Sequence, residues 1–144
     1  MIPDWTNNGL LPPGIHAASL TDVESRFVYF DRSNQRLRIY ANFSRFVVEA
    51  QRSGIVRRII LAGSFVTNKP EPNDFDCILV FDPAIVGTTL SPFQYNLMSR
   101  RTTRRAFDGD IMPAADGSIA LERYLAFFQT TREGEAVGVV EINL

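Results

Sequence analysis

Between Asn34 and Arg52, apolar residues return every third or fourth position, with Leu37, Tyr40, Phe43, Val47 and Ala50 on one side. Arg38, Asn42, Arg45, Glu49 and Arg52 fall opposite them, which predicts a long amphipathic helix ended by Ser53-Gly54. Before it, Thr21-Asp22-Val23-Glu24 has the form of a capping box, and Leu20, Val23 and Phe27 supply a short apolar face, so a helix is expected over 20–28. The period then shortens. Val56 to Ala62 is a β-branched run that stops at Gly63-Ser64, and Phe75 to Phe81 reads as a second strand. Pro83 to Leu90 is irregular, Pro92 to Arg105 reads as one helix, and Ala106 to Met112 as a third strand closed by Pro113. Leu121, Tyr124, Leu125 and Phe128 place a helix over 119–130, whose Phe127-Phe128 pair is expected in the core, and 136–142 forms a last strand. Turn formers from Asn7 to Gly14 make residues 1–18 an ordered arm. Helices followed by strands interleaved with helices predict an α/β (α+β) fold, a mixed β-sheet flanked by helices.

Composition narrows this further. The chain has 144 residues, 45% of them hydrophobic, enough for one core and one domain over 1–144 and too apolar for disorder. Fifteen basic against sixteen acidic residues give a net charge of −1, so no global field draws the chain to nucleic acid or an anionic membrane. The single cysteine, Cys77, excludes an internal disulfide and reads as a buried small hydrophobe within an apolar run. No apolar stretch reaches the length of a membrane span and Met1 to Thr6 lacks the pattern of a secretion signal, so the expectation is a cytoplasmic protein with no membrane partner. One histidine, His16, gives no basis for a triad and is read as structural, and no zinc-ligand spacing is present.

The chemistry concentrates in one segment. Gly63-Ser64 ends a predicted strand and is followed, after nine residues, by Asp74-Phe75-Asp76 at the start of the next. A glycine lets backbone approach a ligand, the serine adds a hydroxyl, and together they suit a phosphate seat. Asp74 and Asp76, two apart on a strand, leave the same face and can converge on divalent cations. Two metal ions in such a site would activate an attacking hydroxyl and steady a leaving pyrophosphate. A third carboxylate is expected from Asp108 or Asp110 in Phe107-Asp108-Gly109-Asp110, with Asp110 preferred and Asp108 read as a turn residue. Lys69, the only lysine, sits in the intervening loop, where it could reach a triphosphate or simply be solvated. Arg100, Arg101, Arg104 and Arg105 form a helical stripe with no acid in it, and Arg104 and Arg105 are candidates for nucleotide or RNA phosphate.

The pattern Ala62-Gly63-Ser64, nine residues, Asp74-Phe75-Asp76-Cys77 resembles the signature of the nucleotidyltransferase superfamily. Leu11-Pro12-Pro13-Gly14-Ile15-His16, Phe65-Val66-Thr67 with Lys69-Pro70, Phe127 to Thr130 and Gly138-Val139-Val140 are similar to an uncharacterised family of small prokaryotic nucleotidyltransferase-like proteins. The resemblance implies a minimal fold of that type and transfer of a nucleoside monophosphate from an NTP, dependent on Mg²⁺ (or Mn²⁺), to a hydroxyl of RNA, protein or a small molecule. It implies Asp74, Asp76 and Asp110 as catalytic metal ligands, and, from the setting of some such relatives, a cognate toxin or antitoxin partner. The chain is too short for the helical domain that larger nucleotidyltransferases add to grip base and acceptor, so the alternative expectation is a non-catalytic binding module of the same fold.

Overall fold

A computed structural model describes residues 1–30 and 33–144 as a five-stranded mixed sheet with five α-helices. In chain order the elements are β1 (Ile15–Ala17), α1 (Leu20–Phe27), α2 (Asn34–Ser53), β2 (Val56–Ala62), β3 (Asp76–Phe81), α3 (Pro92–Leu97), α4 (Arg100–Phe107), β4 (Asp110–Ala115), α5 (Ile119–Phe128) and β5 (Val139–Asn143). The strand order is β1-β5-β2-β3-β4. β2 runs antiparallel to both β3 and β5, while β1 pairs parallel with β5 and β4 parallel with β3.

Strand alternation assigns the two faces. Ile59, Leu61, Cys77, Leu79 and Ile111 point into the larger core, where Phe27, Ile39, Phe43, Phe46 and Phe107 of α1, α2 and α4 cover them. Ile60, Ala62, Ile78, Val80 and Ala114 point to the other side and pack on Leu121 and Phe128 of α5. A sheet covered on both faces explains why β2 and β3 read as nearly continuous apolar runs.

Several local expectations are corrected. The cap of α1 is Ser19, whose hydroxyl accepts from the Asp22 N–H while the Asp22 carboxylate accepts from the Ser19 N–H, so the capping box lies two residues earlier than Thr21. On α2 the buried face is Arg36, Ile39, Phe43, Phe46, Val47 and Ala50, and Leu37 is exposed. The stretch 92–105 is two helices, because Ser99 turns out of the first and caps the second, its hydroxyl accepting from the Thr102 N–H. β4 begins at Asp110, four residues later than expected, and runs through Pro113, an arrangement tolerated because β4 is an edge strand. The last strand likewise starts at Val139, and Phe128 is buried whereas Phe127 is 68% exposed. Among the described residues no helix is long and apolar enough to cross a membrane.

Candidate functional site

Antiparallel pairing sets Ala62 opposite Asp76, so the chain leaves β2 at Gly63 directly beside the first carboxylate of β3. Gly63 has φ 78° and ψ −164°, a region essentially closed to side-chain-bearing residues, and a Cβ there would collide with the Asp76 carboxylate. The glycine therefore does two things: it makes the turn and leaves room for Asp76. A single 3₁₀ turn, Ser64–Val66, follows, and the Ser64 hydroxyl makes no hydrogen bond with the described residues.

Phe75 separates the two aspartates and is fully buried among Phe43, at 5.2 Å between ring centroids, and Phe46 at 6.4 Å. With that ring sunk in the larger core, its neighbours Asp74 and Asp76 are turned away from it. The ring also lies on Gly109, where a Cβ would overlap it. That close approach brings the start of β4 against β3, with the Asp110 N–H donating to the Phe75 carbonyl at 2.9 Å and Asp110 in register with Asp76.

The structure therefore brings Asp74, Asp76 and Asp110 to one end of the β2-β3-β4 ladder beside Gly63. Burial, then the charge of Asp74, then that of Asp110 push the Asp76 carboxyl up from its usual 3.8 to about 6, against a smaller opposing pull from Arg104. Asp74 and Asp110 have acquired counter-ions instead. Arg104 Nη1 donates to Asp74 Oδ2 at 2.5 Å, and Arg100 Nη2 to Asp110 Oδ1 at 3.1 Å. The arginine stripe of α4 is thus half neutralised by acids from other elements, which a reading of α4 alone misses. Arg101 and Arg105 make no hydrogen bond or ion pair with the described residues. Asp108 goes elsewhere: it ends α4 in the left-handed conformation at φ 52° and pairs with Arg38 at 2.6 Å.

Oxygen-only carboxylate donors suit a hard divalent cation. Among the described residues, however, no group of three or more His, Cys, Asp or Glu side chains stands in an arrangement that could hold a metal ion. The donor chemistry fits, and two arginines hold two of the three donors.

The loop between Gly63 and Asp74 is held by the first turns of α2, through residues that the hydropathy pattern does not single out. Arg36 is fully buried, and its guanidinium donates to the carbonyls of Phe27, Phe65 and Thr67, each at 2.8 Å, and of Lys69 at 2.7 Å. Gln35 donates to the Pro72 carbonyl at 2.9 Å and Arg38 to that of Asn73 at 3.2 Å. The signal was present: Arg36 precedes Ile39, Phe43 and Ala50 at helical spacing, on the core face where an arginine needs many acceptors. Lys69 has its carbonyl fixed and its side chain exposed. His16 Nε2 lies 2.7 Å from the Pro12 carbonyl, and burial pushes the Cys77 thiol up, well above its ordinary value.

A family model described as a family of unknown function, DUF6932, matches residues 3–143. No curated protein and no solved structure matches the chain.

Proposed function

The chain belongs to the DUF6932 family, and we propose that it is a minimal metal-dependent nucleotidyltransferase of the cytoplasm, moving a nucleoside monophosphate from an NTP to a hydroxyl of RNA, protein or a small molecule. The observation that carries the reading is the convergence of Asp74, Asp76 and Asp110 beside the Gly63 turn, with Asp76 and Asp110 as register partners. Mg²⁺ or Mn²⁺ would be held by these three carboxylates, where it would make the acceptor hydroxyl more acidic and offset charge on the pyrophosphate. In the transfer itself the acceptor oxygen bonds to the α-phosphorus, the bond from that phosphorus to the bridging oxygen breaks, and pyrophosphate leaves with the electron pair. The hydroxyl proton passes to a carboxylate or to solvent. The chain contributes position and charge: Gly63 lets a phosphate approach the backbone, Ser64 offers an unengaged hydroxyl, and Arg100 and Arg104 of α4 supply cations at the rim.

A second reading has its own support. Because Arg100 and Arg104 already satisfy Asp110 and Asp74, and no preassembled metal group stands among the described residues, a non-catalytic nucleotide-binding module, such as one half of a toxin–antitoxin pair, is the alternative. Incubation with each α-labelled NTP, MgCl₂ or MnCl₂, and RNA or protein acceptors separates the two. Label transfer that is lost in Asp74→Asn and Asp76→Asn supports the enzyme. Cation-dependent NTP binding without transfer supports the module, and no NTP binding at all overturns both.

A further inference from the structure

α4 presents Arg100 and Arg104 one turn apart, and each reaches a different carboxylate of the site, Asp110 and Asp74. The pairs sit at the rim, with the Arg100 and Arg104 side chains 54% and 51% exposed, so water competes for both and the hold is light. Asp76, partly buried between them, accepts no side-chain hydrogen bond from the described residues and no arginine is seated on it. Three carboxylates against two guanidinium groups leave the cluster with a net charge of −1, so a dication added to it leaves an excess of one positive charge. That excess must be met by an anion at the same rim, where guanidinium groups are the side chains best shaped to pair with phosphate.

We propose that Arg100 and Arg104 are resident counter-cations that a divalent cation displaces from Asp110 and Asp74, and that the two freed guanidinium groups then take the phosphates of the incoming nucleotide. Cation and nucleotide binding are thereby coupled, each strengthening the other, as linkage requires. The inference rests on the nucleotidyltransferase reading and adds to it a charge exchange within this chain. It also assigns Arg100, rather than Arg105, as the partner of Arg104 at the phosphates.

The test uses the full chain and three proteins: wild type, Arg100→Gln with Arg104→Gln, and a charge-matched control, Arg101→Gln with Arg123→Gln, whose side chains are exposed and have no partner among the described residues. Binding of Mn²⁺ alone is followed by electron paramagnetic resonance, binding of MgATP by calorimetry, and folding by circular dichroism. The exchange predicts that Arg100→Gln with Arg104→Gln binds Mn²⁺ about three- to ten-fold tighter than wild type, since two exposed ion pairs no longer compete. The same variant binds MgATP at least about ten-fold more weakly, the loss of charge-assisted contacts to phosphate. The control stays within about two-fold of wild type in both. Equal Mn²⁺ affinity in the two variants, or an unchanged MgATP affinity, overturns the exchange while the metal site stands. Failure of all three folded proteins to bind Mn²⁺ overturns the metal-dependent reading and the exchange with it.

Discussion

Replacing Asp76 by asparagine should stabilise the metal-free protein, and should do so only above a particular pH. Burial and the charges of Asp74 and Asp110 raise the Asp76 carboxyl from 3.8 to about 6. A carboxyl with this upward shift holds its proton more tightly in the folded chain than in the unfolded one. Its contribution to folding is therefore fully present below pH 4 and is lost as the pH rises through about 6. Taken at 1.36 kcal/mol per pH unit, the shift sets a ceiling of about 3 kcal/mol, and partial exposure to screening water reduces it to about 1–2 kcal/mol. Asparagine keeps the shape and removes the charge. Thermal melts of both proteins between pH 4 and 8, in chelator, should coincide near pH 4, separate as the pH rises from 4 to 6, and keep a constant gap above pH 6, with the asparagine variant higher by about 3–6 °C. Working from the difference between the two proteins cancels the titration of every other carboxylate. At pH 7.5, addition of MgCl₂ should raise the melting temperature of wild type and leave the variant nearly unmoved. A variant less stable than wild type at pH 7.5 would mean that the ionised carboxylate makes a structural contact, and the like-charge argument would fail.

Other outcomes follow from the packing around the site. Gly63→Ala must adopt a backbone region closed to alanine and push its methyl into Asp76, so chemical denaturation should show a loss of about 2–4 kcal/mol; in a double-mutant cycle, Asp76→Ala should recover only the part due to the collision. Arg36→Met leaves four carbonyls without their shared donor and should cost about 3–5 kcal/mol, with hydrogen exchange rising first in residues 65–69. Phe75→Ala empties the space between Phe43, Phe46 and Gly109, and equilibrium unfolding should register a loss of about 3–5 kcal/mol. Arg38→Ala removes a largely exposed pair with Asp108 and should move the melting point by no more than the equivalent of about 1 kcal/mol, which marks Asp108 as peripheral.

Hydrophobic period alone was enough to place the long helix α2, the strands β2 and β3 and the helix α5, because each buries a continuous face whose spacing survives any tertiary context. The segment from Gly63 to Asp76 was legible for a related reason: a glycine that ends a strand, and two aspartates straddling a buried phenylalanine, are local patterns with local causes. Boundaries governed by a single hydrogen bond were not. Whether 92–105 is one helix or two turned on Ser99 choosing to cap, and the start of β4 turned on Gly109 fitting under Phe75. Charge pairing was the least local of all. Nothing near Arg100 and Arg104 in sequence reveals that they neutralise Asp110 and Asp74, and Arg36 reads as an error in an apolar face until the loop from Phe65 to Lys69 folds over it. Periodicity records which side of an element is dry, whereas the partner of a buried or bridging charge is fixed only when separate elements pack, since electrostatic energy depends on distances through space and not along the chain.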